Sequence, residues 1–196
     1  MTRFSSEKDV GYFALEAMTT FAIALSKLEV GEISIAAIRN GMETLHPFNK
    51  PFLPSEGASI ISHFGFRFSD TSSADFGLAK FMRESIDAFG SDSRHKICFI
   101  LSDGRFNKEI VRPFCQESDE AGMLYVYIIL DNEDPKKSIM NYRTSKILRE
   151  GGKTRVEISG YLEDFPFKNY IIVKNIRELT AVIASILREY FERFDM

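Results

Sequence analysis

The chain has 196 residues, 44% of them hydrophobic, which is enough to bury one sizeable core and too apolar for a disordered segment. Its formal charge of −3 comes from 25 basic and 28 acidic residues that are interspersed, so no basic face is offered for sequence-independent phosphate contacts and direct nucleic-acid binding is not expected. Cys98 and Cys115 have no second pair and no clustered histidines, the start MTRFSSEKD lacks a signal-peptide core, and no stretch of about 18 apolar residues occurs; zinc, a disulfide framework, secretion and membrane spanning are therefore not expected, and a reduced compartment is.

In chain order, Val10 to Leu28 reads as a buried helix, because Phe13, Leu15, Ala17, Met18, Phe21, Ile23, Leu25 and Leu28 cover much of its surface. Gly31 stops it, and Ile33, Ile35 and Ile38 open a short strand that would enter a covered sheet. LHPFNKPFLPSEG holds three of the six prolines and reads as a loop with at most an edge strand. Ala58 to Phe68 is ambiguous between helix and strand, Ser69 to Asp75 is a polar turn rich in capping residues, and a helix follows from about Asp75 to Phe89.

KICFIL, Lys96 to Leu101, has the length and composition of a strand and hands over to SDGR; Asn107 to Ala121 is helical until Gly122 breaks it. Met123 to Leu130, MLYVYIIL, is an unbroken run of aliphatic and aromatic residues, as a strand covered on both faces requires. Ser138 to Glu163 shows no clear pattern. Asn169 to Val173 is a last strand and Glu178 to Phe194 a last amphipathic helix, with Leu179, Val182, Ile183, Ile186, Leu187, Tyr190 and Phe191 on its inner side. The alternation predicts an α/β fold, Rossmann-like and doubly wound, in which a mostly parallel sheet carries helices on both faces in one domain over residues 1–196. Such sheets bind ligands at the carboxyl ends of their strands, which puts the chemistry at Ser102 to Arg105.

ICFILSDGR resembles the third metal loop of von Willebrand factor A domains. With the series LHPFNKPF, IILDNEDPKKSIM and YLEDFPFKNYIIV and the helix ALEAMTTFAIALSKLEVGEISI, the similarity covers the chain from about residue 12 onward and is to the carboxy-terminal, metal-ion-dependent adhesion domain of the midasin family. The resemblance implies a protein-binding module and not an enzyme by itself, acting in the nucleus during assembly of the large ribosomal subunit. It implies a grip on a ubiquitin-like domain of a pre-60S assembly factor, which a distant ATPase ring of the full-length protein then pulls.

It also implies one Mg²⁺ held by an Asp-x-Ser-x-Ser loop, a threonine and an aspartate, a hard-oxygen set with one position open to a partner's carboxylate. Asp103 matches the aspartate; Thr71 by residue type and Ser73 by distance from Phe66 compete for the second loop; Ser102, Gly104, Arg105 and Phe106 are the expected partner contacts, with Phe106 at the rim. No Asp-x-Ser-x-Ser occurs, and Met1 stands where the residue after that loop would be. The expectation is a chain beginning just downstream of its first strand, lacking a central strand between Ile33–Ile38 and Lys96–Leu101, and therefore weak in folding and in Mg²⁺ binding.

Plainer readings stand beside these. Asp-Gly after a strand is common turn chemistry, Thr71 and Ser73 suit helix N-caps, His46, His63 and His95 show no ligand spacing, and FPFKNYIIV reads as packing. A metal-free von Willebrand A scaffold for intracellular protein interaction is the alternative function. A hydrolytic or phosphate-handling enzyme is disfavoured, since neither GxSxG nor a P-loop occurs.

Overall fold

The computed structural model describes residues 7–27, 31–38, 42–63, 75–89, 96–131, 134–150 and 153–192. Helices α1 (Glu7–Lys27), α2 (Pro54–His63), α3 (Asp75–Phe89), α4 (Lys108–Glu120) and α5 (Ile176–Glu192) alternate with strands β1 (Ile35–Ile38), β2 (Met42–His46), β3 (Lys96–Ser102), β4 (Met123–Leu130), β5 (Arg143–Glu150), β6 (Lys153–Gly160) and β7 (Asn169–Val173).

β4 is the axis of the molecule. It runs parallel to β3, with Lys96 opposite Met123 and Ser102 opposite Ile129, and parallel to β7, with Val126 opposite Asn169 and Leu130 opposite Val173. Because strand side chains alternate, Met123, Tyr125, Tyr127 and Ile129 enter one core with Leu78 and Met82 of α3 and Val111 of α4. Val126, Ile128 and Leu130 enter the other, with Phe13, Ala17 and Phe21 of α1 and Leu179, Ile183 and Leu187 of α5. Both faces of β4 are therefore dry, which is why its sequence has no polar alternation. Each aliphatic side chain buried in these layers contributes roughly 1.5–3 kcal/mol, so the two cores hold α1 and α5 to one side of the sheet and α3 and α4 to the other.

Local chemistry sets the ends. Asn107 caps α4, its side-chain oxygen accepting the Glu109 N–H at 3.1 Å, and Gly122 closes it with φ +68° while the Ala121 and Gly122 N–H groups bond Glu117 and Asp119 carbonyls. The segment FPFKNYIIV packs as expected: Phe165 meets Tyr127 edge to face at 5.3 Å and Phe167 lies tilted against it at 4.8 Å between ring centroids.

The structure corrects the expected sheet in three places. Among the described residues the parallel sheet has three strands, β3, β4 and β7, and the other four strands lie outside it in two separate antiparallel pairs. β1 does not enter the parallel sheet as expected but pairs antiparallel with β2, Ile38 opposite Met42; β2 ends at His46, inside the segment read as a loop with at most an edge strand. Ser138 to Glu163 is not patternless chain but the β5–β6 hairpin between two 3-10 turns at Ile139–Asn141 and Tyr161–Asp164. No described strand is hydrogen-bonded to the outer edge of β3. Ile38 of β1 packs against the same core as Leu78 and Met82, without a ladder to β3.

Ala58 to Phe68 resolves in favour of helix as far as His63. His46 is fully buried, donates from Nε2 to the Lys50 carbonyl at 3.1 Å and meets the Phe52 ring edge-on, a structural role. The expectations for Thr71, Ser73 and His95, for the side chain of His63 and for the turn before Asp75 lie outside the described residues.

Candidate functional site

Parallel pairing puts the carboxyl ends of β3, β4 and β7 on one edge, so Ser102 and Asp103, Asp131, and Lys174 all emerge there. Sequence reasoning placed the chemistry at the carboxyl ends of parallel strands, and β3 and β4 do run parallel here.

Asp103 is partly exposed, its carboxylate accepting the Arg105 backbone N–H at 3.0 Å and the Arg105 guanidinium at 3.1 Å. The Ser102 hydroxyl lies 3.4 Å from the same carboxylate. Arg105 is exposed and also donates to the Lys137 carbonyl, so one guanidinium ties the loop after β3 to the loop after β4. The Arg105 guanidinium is thus the cation paired with Asp103.

Two expected partner contacts are corrected. Gly104 is buried, with φ +78°, and a Cβ there would stand 2.8 Å from Ile139 Cδ1 and 3.2 Å from two Ile129 carbons. Only glycine suits it, because the backbone turns left-handed against a filled core. Phe106 does not project at the rim; its ring lies 5.6 Å from Tyr127, 5.5 Å from Phe165 and 6.0 Å from Phe167. An aromatic ring gains more from that cluster than from water. Of the expected partner contacts, Arg105 and the Ser102 hydroxyl remain at the surface edge, beside Asp103, the expected metal ligand.

Sequence reasoning missed the residue that clamps this loop. The Tyr161 hydroxyl accepts the Phe106 N–H at 3.1 Å and has the Phe106 and Gly104 carbonyls within reach as acceptors at 2.9 and 3.1 Å. Burial pushes this phenol up from its ordinary range, the Phe106 backbone bond working against that shift. Lys108 donates to the Tyr161 carbonyl at 2.8 Å with its ammonium 4.5 Å from the ring centre. Tyr161 is far from Phe106 in sequence and sits in the stretch without pattern, so nothing local announced it.

Asp131 was also passed over, although it follows β4 as Asp103 follows β3. It is buried and fully occupied: Ser138 donates its hydroxyl at 2.6 Å, the Ile139 N–H donates at 2.8 Å, and the Lys174 ammonium stands 3.7 Å away. Its work is to fold the 134–139 loop beneath Gly104.

For Mg²⁺ the described residues fit only in part. The Asp103 carboxylate and the Ser102 hydroxyl are oxygen donors of the right hardness. Among the described residues no group of three or more His, Cys, Asp and Glu side chains could hold a metal, and Thr71 and Ser73 cannot be placed relative to Asp103. Cys98 and Cys115 are free thiols, both pushed by burial up to about 12, and so are poor ligands.

No protein-family model matches the chain. In three dimensions it is similar to the crystal structure of conserved hypothetical protein BatB from Bacteroides thetaiotaomicron, with a TM-score of 0.50 and 13% identity over 89% of this chain and 87% of that one, a likeness of fold alone. In sequence it is 30% identical over 193 residues to midasin of Giardia intestinalis and 28% identical over 187 residues to midasin of Dictyostelium discoideum. These matches cover 96% and 93% of this chain but only 4% and 3% of those proteins. The chain is therefore midasin-related along nearly its whole length, and corresponds to a small part of the midasins it matches.

Proposed function

We propose that the chain is a protein-binding module of the von Willebrand factor A type, serving in the nucleus in assembly of the large ribosomal subunit, with the edge around Asp103 as its recognition face. The observation that carries this reading is the end-to-end similarity to midasin, combined with a carboxylate held partly open at the carboxyl edge of a parallel sheet. The expected partner is a ubiquitin-like domain of a pre-60S assembly factor. Mg²⁺, when bound, would supply an open coordination position to that partner's carboxylate. Asp103 would be its ligand in this loop, with Thr71 or Ser73 from the segment before α3. The tight turn at Gly104 and the Tyr161 clamp fix where the carboxylate points. The reading assigns no catalytic step to the chain.

A second reading has its own supporting observation. Arg105 already pairs with Asp103, so the same face suits a metal-free scaffold in which the guanidinium meets the partner's acid directly. The two readings separate in a pull-down with the intact midasin-type protein and the ubiquitin-like domain of its assembly factor, with and without chelator. Asp103→Ala is expected to lower capture at least tenfold while leaving the melting temperature within about 2 °C, since a partly exposed side chain and no core volume is lost. Capture that survives chelator but falls with Arg105→Ala supports the scaffold; capture unchanged by Asp103→Ala, Arg105→Ala and chelator alike contradicts both.

A further inference from the structure

The β5–β6 hairpin carries a second surface, independent of how Asp103 is read. The strands pair over their whole length, from Arg143 opposite Gly160 to Glu150 opposite Lys153. Alternation along the strands sorts the side chains: Arg143, Ser145, Ile147 and Arg149 share one face with Thr154, Val156 and Ile158. Ile147 and Val156 are directly opposed and Ile158 is a diagonal neighbour, yet they are 66%, 58% and 65% exposed. Three adjoining aliphatic side chains left in water forgo the burial that the same residue types obtain elsewhere in the chain.

The other face carries the tether to the body. Lys146 reaches Asp164 at 3.1 Å and Arg112 of α4 reaches the same carboxylate at 2.8 Å; Lys146 first and Arg112 second hold the Asp164 carboxyl below its ordinary range. The hairpin base is fixed further by the Tyr161 N–H bonding the Tyr142 carbonyl at 2.9 Å and by the Tyr142 and Tyr161 rings meeting edge to face. The aliphatic face is therefore presented on the side away from that tether, on a strand pair with a fixed root.

Charge selects the occupant. The hairpin has five basic residues, Arg143, Lys146, Arg149, Lys153 and Arg155, against two acidic ones, Glu150 and Glu157, in a chain of net charge −3. The aliphatic face itself bears no acid, and Arg143 and Arg149 bracket it, about 20 Å apart at the rise of a strand. Three aliphatic side chains and no aromatic offer no stacking platform for unpaired bases. A hairpin built to enter a membrane carries apolar residues towards its tip, whereas the last described pairs of this one, Arg149 with Thr154 and Glu150 with Lys153, are of polar residues. An apolar centre with a charged rim is the anatomy of a protein interface.

We infer that the face of Ile147, Val156 and Ile158 docks a partner protein whose surface presents an aliphatic centre flanked at both ends by carboxylates. The test titrates the full chain against a fluorescein-labelled peptide, Glu-Thr-Val-Thr-Ile-Thr-Glu, whose two glutamates share one strand face with the valine and isoleucine and stand as far apart as Arg143 and Arg149, and reads anisotropy. Binding is expected, weakened at least tenfold by Ile147→Thr with Ile158→Thr and separately by Arg143→Glu with Arg149→Glu, while the melting temperature of each variant stays that of the parent. The same peptide with serine in place of valine and isoleucine should bind at least tenfold more weakly. The inference is overturned by no peptide binding, by binding that neither variant changes, by equal binding of the serine peptide, by binding to phosphatidylserine vesicles in preference to the peptide, or by dimerisation of the chain that these substitutions abolish. Asp103→Ala should leave this titration unchanged, so the two surfaces fail separately.

Discussion

At Gly104 the constraints on the loop meet in one backbone atom: a left-handed φ of +78° and a missing Cβ that would collide with Ile139. Gly104→Ala is expected to destabilise the fold by about 1–3 kcal/mol, the usual cost of overpacking, with a matching loss of melting temperature in a thermal scan. A variant as stable as the parent would show that Ile139 yields and that the loop is looser than its geometry implies. Tyr161→Phe tests the clamp from the other side. It removes the acceptor of the Phe106 N–H and the donor to a carbonyl of the same loop, and should cost about 1–3 kcal/mol as buried groups are left unpaired. A melting temperature unchanged by that substitution would mean that the hydroxyl does not hold the loop. At this scale the sequence showed Asp103 and the glycine beside it, because a strand ending in Asp-Gly has local chemistry. It misplaced Phe106, because whether an aromatic after a turn goes inward depends on Tyr127, Phe165 and Phe167, which the chain supplies later.

Among the elements, β3 and β4 tie the fold to pH through groups they bury. Burial pushes the Cys98 thiol of β3 from its ordinary 9.0 up to about 12, and raises the Tyr125 and Tyr127 phenols of β4 above their ordinary 10.0. Each folded pKa lies above the unfolded one, so the folded state holds these protons more tightly. That stability is fully present below about pH 9 and is lost as pH rises toward the folded values. Urea midpoints should therefore fall steadily between pH 8.5 and 10.5 in the chain, and a Cys98→Ala variant should lose less over the first part of that range. A midpoint independent of pH there would place these groups in water. The elements themselves were legible where burial imposes a pattern: α3, β4 and β7 lie where the sequence puts them, β4 because both its faces are dry, α3 because Leu78, Ala79 and Met82 line an apolar side, and β7 because its run ends in the buried Val173. β5 and β6 were not, and the reason is physical. With neither face buried in a core, the hairpin needs no alternation of apolar and polar residues, and Ile147, Val156 and Ile158 read as noise until their cross-strand register is known.

The whole molecule joins a three-layer α/β body to an antiparallel pair, β1–β2, on the α3 side and a protruding basic hairpin beyond the edge where β3 and β4 end. Its helices on both sheet faces were legible from the order of apolar segments, since parallel strands must be joined by crossovers and those crossovers cover the sheet. β1 was expected in the same sheet as β3 and lies instead in an antiparallel pair with β2, because no local pattern specifies which strands pair. The two layers of core position one exposed carboxylate, Asp103, and two inward residues that brace it, Gly104 and Tyr161; the proposed function depends on that edge meeting a partner. Hydrogen–deuterium exchange of the intact midasin-type protein, with and without the ubiquitin-like domain of its assembly factor, tests this most directly. Exchange at residues 102–106 is expected to slow on binding, and not to slow in Asp103→Ala; a complex that forms with full affinity while these residues exchange as fast as in the unbound protein would show that this edge is not the recognition face.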